Sequence, residues 1–269
     1  MDLRARYGPW ALVTGGAMGL GAAFGQQLAA AGIDLVLLDH DASALASQAE
    51  TLRARYPSTE IREVVADLSD RGQVHAALAS VSELEIGLLV ACAAHSVVGA
   101  WLDVPLETKL KHIEVNCVSV ATMVDRLSRT MAERKRGGII VVSSMSAQQG
   151  TPLVATYAAT KAFDLVLGES LWAELRRHGV DVLALMPGST RTPGFQGSLP
   201  AGTKLPKGVR VMEPDDVARE ALAALGKQPS IVAGGWNRLA SSVMQRVLPR
   251  KKAIDVMARS MRSMYRDRG

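Results

Sequence analysis

The chain has 269 residues, of which 48% are hydrophobic, 21% charged and 4% aromatic, and its net charge is +5. So much apolar content with so little net charge excludes a disordered chain, and the length suffices for one large α/β domain with its own core. Two cysteines, Cys92 and Cys117, exclude a disulfide framework; no His, Cys or acidic cluster has ligand spacing, so no metal is expected.

The first ten residues carry charges and lack the apolar stretch of a leader, and no run of about eighteen apolar residues follows. A soluble protein in the reducing cytoplasm is therefore expected. Residues 10–14, Trp-Ala-Leu-Val-Thr, form a short apolar run that ends in glycines. The turn Thr14-Gly15-Gly16-Ala17-Met18-Gly19-Leu20-Gly21 then leads into a helix expected over 19–31. A glycine-rich turn between strand and helix lets the backbone approach a pyrophosphate, which free N–H groups and the helix dipole attract. Gly15, Met18, Gly19, Leu20 and Gly21 are the candidate contacts. A second strand over 33–39 ends in Asp39. A carboxylate there accepts both ribose hydroxyls of an adenosine and repels a 2′-phosphate, which points to NAD over NADP. The other reading of Asp39 is a cap for the helix expected over 41–55.

Further strands are expected over 60–66, 86–92, 138–143 and 180–186, with helices over 70–82, 105–134 and 156–178. Continuous apolar strands alternating with helices imply a parallel sheet covered on both faces. Right-handed crossovers make it a doubly wound, Rossmann-type α/β sheet with ligands at the carboxyl ends of the strands.

On the helix over 156–178, Tyr157 and Lys161 are four residues apart and share one face. An ammonium near a phenol favours the phenolate, which suits a tyrosine to act as general acid or base. Ser144 follows the strand over 138–143, at the sheet edge where ligands bind, and can hold a substrate oxygen; Ser143 and Ser146 are its competitors. His75, His95, His112 and His178 read as surface or structural, with His95 the one near enough to approach a substrate cleft.

With these residues in place, the sequence resembles the short-chain dehydrogenase/reductase family over about residues 8–235. Thr14, Gly15, Gly19 and Gly21 match its cofactor motif, and Asp67-Leu68 match its acidic pair beside the adenine ring. Asn116, Ser144, Tyr157 and Lys161 match its four catalytic positions, and Pro187-Gly188 with Thr192 match the motif that closes over the nicotinamide. The resemblance implies hydride transfer between a nicotinamide cofactor and an alcohol or ketone. Tyr157 would move the proton, Ser144 orient the substrate oxygen and Lys161 hold the nicotinamide ribose. Asn116 would hold a water at a helix distortion, and Thr192 the carboxamide. Without the resemblance, Asn116 reads as a buried asparagine satisfied locally. One departure stands out. Ala91-Cys92-Ala93-Ala94 replaces the family's Asn-Asn-Ala-Gly, which implies a slightly reshaped adenosine pocket.

The segment 193–211, rich in Gly and Pro, reads as a mobile lid, and its Phe195, Leu199 and Leu205 suggest an apolar substrate face. Resemblance to hydroxysteroid dehydrogenases points to a bulky apolar secondary alcohol or ketone. Residues 236–269 hold nine Lys and Arg against two Asp, a net +7, which leaves −2 on residues 1–235. The basic character thus belongs to a tail, which argues against nucleic acid as a partner. We divide the chain into a catalytic domain over 1–235 and a basic amphipathic extension over 236–269. The extension either packs on its own domain or a partner subunit, or lies on an anionic membrane. The resemblance further implies a homodimer or homotetramer. The competing functions are a 3-oxoacyl thioester reductase and a non-catalytic nucleotide-binding scaffold.

Overall fold

Strands that are apolar along their whole length must be covered on both faces. The computed structural model describes residues 2–206 and 208–265 and gathers seven strands into one sheet. They are β1 (Trp10–Thr14), β2 (Asp34–Asp39), β3 (Ile61–Val65), β4 (Ile86–Ala91), β5 (Gly137–Val142), β6 (Val180–Met186) and β7 (Ser230–Val232). The order is β3-β2-β1-β4-β5-β6-β7, and every pairing is parallel. The order reverses between β1 and β4, so the crevice at their carboxyl ends is where such a sheet binds ligands.

The helices are α1 (Leu3–Tyr7), α2 (Gly19–Ala30), α3 (Ala42–Arg55), α4 (Arg71–Ala79), α5 (Leu106–Ile113), α6 (Ser119–Glu133), α7 (Ala155–Leu175), α8 (Pro193–Ser198), α9 (Pro214–Ala224), α10 (Gly235–Arg246) and α11 (Arg250–Met264). Because side chains alternate across a strand, Ala11 and Val13 face one layer while Trp10 and Leu12 face the other. Phe24 and Leu28 of α2, Leu45 and Leu52 of α3, and Val217 and Leu222 of α9 cover the first face. Val74 of α4, Met123 and Leu127 of α6, and Leu167 and Leu171 of α7 cover the second.

Six strands and the helices between them lie within about three residues of their expected bounds. Four differences matter. The helix expected over 105–134 is two helices, α5 and α6, joined by a π-turn at Glu114–Val118. The lid segment contains the short α8, capped by the Thr192 hydroxyl. Helix α9 and strand β7 add an unexpected helix–strand unit that extends the sheet beyond β6. The extension is two helices, because Pro249 at the start of α11 lacks the N–H that would continue α10. Arg266, Asp267 and Arg268, counted in the basic tail, lie outside the described residues.

Candidate active site

The turn between β1 and α2 can only be built from small residues. Gly19 has φ +57°, and a Cβ on it would lie 3.0 Å from the Thr192 side chain. A Cβ on Gly21 would come within 2.0 Å of the Gly15 carbonyl oxygen. Met18 precedes α2 and provides no side-chain cap, so the first-turn N–H groups have no side-chain acceptor at that end. A bare cradle with outward N–H groups at a helix N-terminus fits the pyrophosphate of a dinucleotide.

Asp39 closes this cradle from the side. Its Oδ2 accepts from the Ala17 N–H (3.2 Å), and its Oδ1 accepts from the N–H groups of His40 (2.8 Å) and Asp41 (3.2 Å). The capping role weighed for Asp39 falls instead to Asp41, whose Oδ1 accepts from the Ala44 N–H at 3.0 Å. At the end of β3, Asp67 accepts from the Ser69 N–H and hydroxyl and from Lys111 Nζ at 3.3 Å. The Ser69 N–H chiefly, with Lys111, holds the Asp67 carboxyl below the usual range. Leu68 beside it is buried.

The altered segment after β4 is anchored from the opposite strand. Thr14 Oγ1 accepts from the N–H groups of Cys92 and Ala93, both at 3.0 Å. Main chain and one threonine thus tie β1 to β4 at the switch point. Burial pushes the Cys92 thiol up to about 12, so it is protonated at neutral pH.

The π-turn brings Asn116 inward, fully buried. Its Nδ2 donates to the His95 carbonyl (3.0 Å) and to Thr160 Oγ1 (2.9 Å), and its Oδ1 accepts from the His95 N–H (2.8 Å). This side chain is satisfied locally and ties the segment after β4 to α7. His95 turns its ring onto His112, with centroids 4.9 Å apart. His112 Nε2 accepts from the Val97 N–H at 3.1 Å, and burial lowers His112 to about 4.

The three serines separate by environment. Ser143 is buried and donates to the Lys161 carbonyl at 2.6 Å, so its hydroxyl is used in the fold. Ser144 Oγ accepts from the Ser146 N–H (3.1 Å) and hydroxyl (3.0 Å), which leaves the Ser144 proton to point elsewhere. Tyr157 is half-buried in the first turn of α7, and Lys161 Nζ lies 5.9 Å from its ring centre. Lys161 itself is 2% exposed and donates to the Val142 carbonyl (2.8 Å) and to Asp164 Oδ2 (2.9 Å). Burial alone would lower the lysine, but Asp164, and then Tyr157, outweigh it and raise it. Burial raises the Asp164 carboxyl more than Lys161 lowers it. The sequence pattern does not single out Asp164, whose one trace there is a carboxylate inside the apolar run Phe163 to Leu167.

Beyond β6, the Pro187 carbonyl accepts from the Met145 N–H at 3.0 Å, which holds this loop beside Ser144. A Cβ on Gly188 would lie 2.8 Å from Asn237 Nδ2. Thr192 Oγ1 accepts from the Phe195 N–H at 3.2 Å, while its methyl side rests on Gly19. The C-terminal helices then cover the site. Met257, Met261, Met264 and Tyr265 of the α11 end pack with Val98, Leu153, Val154, Tyr157, Leu199 and Leu205. The Tyr265 and Ser198 hydroxyls lie 3.2 Å apart. Next to Val154–Thr156 opens an apolar cavity of about 260 Å³, bordered by Val97, Trp101, Val104 and His112.

A family profile described as short chain dehydrogenase matches residues 9–201. A 7beta-hydroxysteroid dehydrogenase of Collinsella aerofaciens is 35% identical over 244 residues, covering 88% of this chain and 90% of the relative. A solved structure from a study of 7beta-hydroxysteroid dehydrogenase stereoselectivity superposes with a TM-score of 0.88 at 31% identity, covering 96% of this chain and 99% of the other. A short-chain dehydrogenase from Sphingobium yanoikuyae, solved in complex with NADPH, gives a TM-score of 0.75 at 26% identity, covering 89% of this chain and 96% of the other.

Proposed function

The chain belongs to the short-chain dehydrogenase family, and from that membership we propose that it interconverts a bulky, apolar, steroid-like secondary alcohol and its ketone. It is a nicotinamide-dependent oxidoreductase acting on CH–OH groups; the substrate class and the roles of single residues are our reading. A bound nicotinamide supplies the hydride acceptor or donor. The chain's own residues do the rest. Tyr157 takes the hydroxyl proton of the alcohol, or returns it to the ketone oxygen. Lys161 holds positive charge beside the phenol, and Ser144 orients the substrate oxygen. Asn116 fixes the segment after β4 against α7, so that the floor of the site does not shift.

The observation that carries the substrate class is the wall around Tyr157. A methionine-rich helix end, Tyr265, Leu199 and Leu205 share one apolar cluster with Tyr157, and methionines adapt to irregular apolar shapes. The 7beta-hydroxysteroid dehydrogenases among the relatives support a steroid-like ligand. We assign NAD as the preferred cofactor on the position of Asp39, whose charge faces the turn that would receive the adenosine ribose.

Calorimetry with NADH and NADPH, followed by assays on hydroxysteroids and small ketones, tests this reading. We expect NADH to bind at least tenfold more tightly, about 1.4 kcal/mol, with turnover favouring the steroids. Tyr157→Phe should bind cofactor and lose turnover. NADPH preference would overturn the assignment of Asp39. Cofactor binding with no turnover on any carbonyl would make the protein a scaffold.

A further inference from the structure

Helix α10 is amphipathic with its faces reversed. One face of it turns polar side chains into the protein, while Arg238, Ser242 and Arg246 stay exposed. Asn237 and Ser241 are buried, Ser241 Oγ donates to Gln148 Oε1 at 2.8 Å, and Gln245 Nε2 donates to Gln149 Oε1 at 2.7 Å. Its apolar side chains point outward: Trp236, Leu239, Val243 and Val247 are 42, 57, 45 and 70% exposed. Spacings of three and four place these four on one stripe along the helix. The core therefore does not explain them, and a continuous apolar stripe on a surface marks a contact.

The rim of the stripe is cationic. The Arg210 guanidinium lies 4.7 Å from the Trp236 ring centre. Arg246 flanks the stripe on the same helix, and Lys251 and Lys252 follow in the first turn of α11, all three exposed. From Trp236 to Tyr265 the only acidic residue is Asp255, against seven Lys and Arg, of which Arg238 pairs with Glu220 of α9. Charge decides the occupant. A second copy related by a two-fold axis would set these same cations against each other, whereas anionic headgroups would neutralise them.

We infer that α10 docks the protein on an anionic lipid surface. The apolar stripe enters the boundary between headgroups and acyl chains, Trp236 sits at the interface, and the flanking cations meet lipid phosphates. Trp236 Nε1–H donates to the Gly208 carbonyl at 2.8 Å, so docking brings the segment that follows α8 to the same surface. Leu199 and Leu205 of that segment pack in the cluster around Tyr157, and an apolar ligand leaving the bilayer would meet the site there. The docking itself does not depend on which alcohol the enzyme oxidises.

Flotation of the full chain with vesicles of phosphatidylcholine, with and without phosphatidylglycerol, tests this. The wild type should float only with phosphatidylglycerol, and added salt should weaken binding, since screening shortens to about 3 Å at 1 M. The double variant Leu239→Ser with Val243→Ser should lose binding roughly tenfold or more, and Arg246→Glu should weaken it as well. Both variants alter exposed positions, and unchanged melting curves would show them folded. No flotation of the wild type, or equal flotation of the folded double variant, would overturn the inference. So would a wild type that sediments as a larger species than the double variant without lipid, because a second copy would then cover the stripe.

Discussion

Placing Lys161 and Asp164 together out of water, at 2% and 0% exposure, costs several kcal/mol per ion, which their contact offsets only in part. A hydrophobic pair would stabilise the fold as well, so the pair points to a need for a charged lysine next to Tyr157. Asp164 supplies the counter-charge that keeps the ammonium protonated in this dry setting, and its Oδ1 has no hydrogen-bond partner among the described residues. Asp164→Asn keeps the shape and removes the charge. Desolvation then acts on Lys161 unopposed and favours its neutral form. The pH at which alcohol oxidation reaches half its maximum should rise by about one unit or more, while cofactor affinity stays near that of the wild type. In a Lys161→Met background the same change should leave the pH profile where Lys161→Met alone puts it. Additive shifts would refute a role exercised through the lysine. That Tyr157 and Lys161 lie together on one face of α7 was legible in the sequence from their spacing of four. Asp164 was not, since nothing in a helical repeat says that an acid inside an apolar run faces a lysine rather than water.

At the level of elements, long and apolar meant legible. Strands β1, β2 and β4 to β6 read directly from runs of Val, Leu and Ile, whereas the pattern over 105–134 implies one helix and only the resemblance points to a distortion at Asn116. Strand β7 has three residues, too few for any periodicity to register. The extension reads as one amphipathic stretch because apolar residues recur every three or four positions on both sides of Pro249, from Met244 and Val247 to Ile254, Met257, Met261 and Met264. The structure gives its two halves opposite tasks, α10 with its apolar side outward and α11 with its apolar side on Tyr157. Helix α11 should therefore set substrate size. In Met261→Ala with Met264→Ala, KM for a steroid-like alcohol should rise roughly tenfold, as loss of one to two kcal/mol of apolar contact implies. A ketone too small to reach α11 should keep its kcat/KM. Equal losses on both substrates, measured by steady-state kinetics, would mean that α11 only props up the fold.

For the molecule as a whole, the sheet is covered on both faces, yet a second apolar surface remains open away from α10. Leu106, Leu110 and Ile113 recur every three or four residues along α5, and Phe163 and Val166 lie one turn apart on α7; all five are exposed. Helices α5 and α7 pack against each other, which sets the two stripes on neighbouring helices. Unlike that of α10, the α5 stripe is flanked by an anion and a cation together, Glu107 and Lys109, and a two-fold axis can set opposite charges face to face. Two such helix pairs meeting would form a four-helix layer. We expect a homodimer through this patch, whose burial would approach the roughly 1,600 Å² of a stable interface. Leu110→Glu with Phe163→Glu should convert it to a monomer in sedimentation equilibrium. Because Phe163 shares α7 with Tyr157 and Lys161, the monomer should also turn over more slowly, with KM less affected than kcat. The Leu239→Ser with Val243→Ser variant should remain a dimer. A wild type that sediments as a monomer at micromolar concentration would instead leave the α5 and α7 patch without a partner of its own kind.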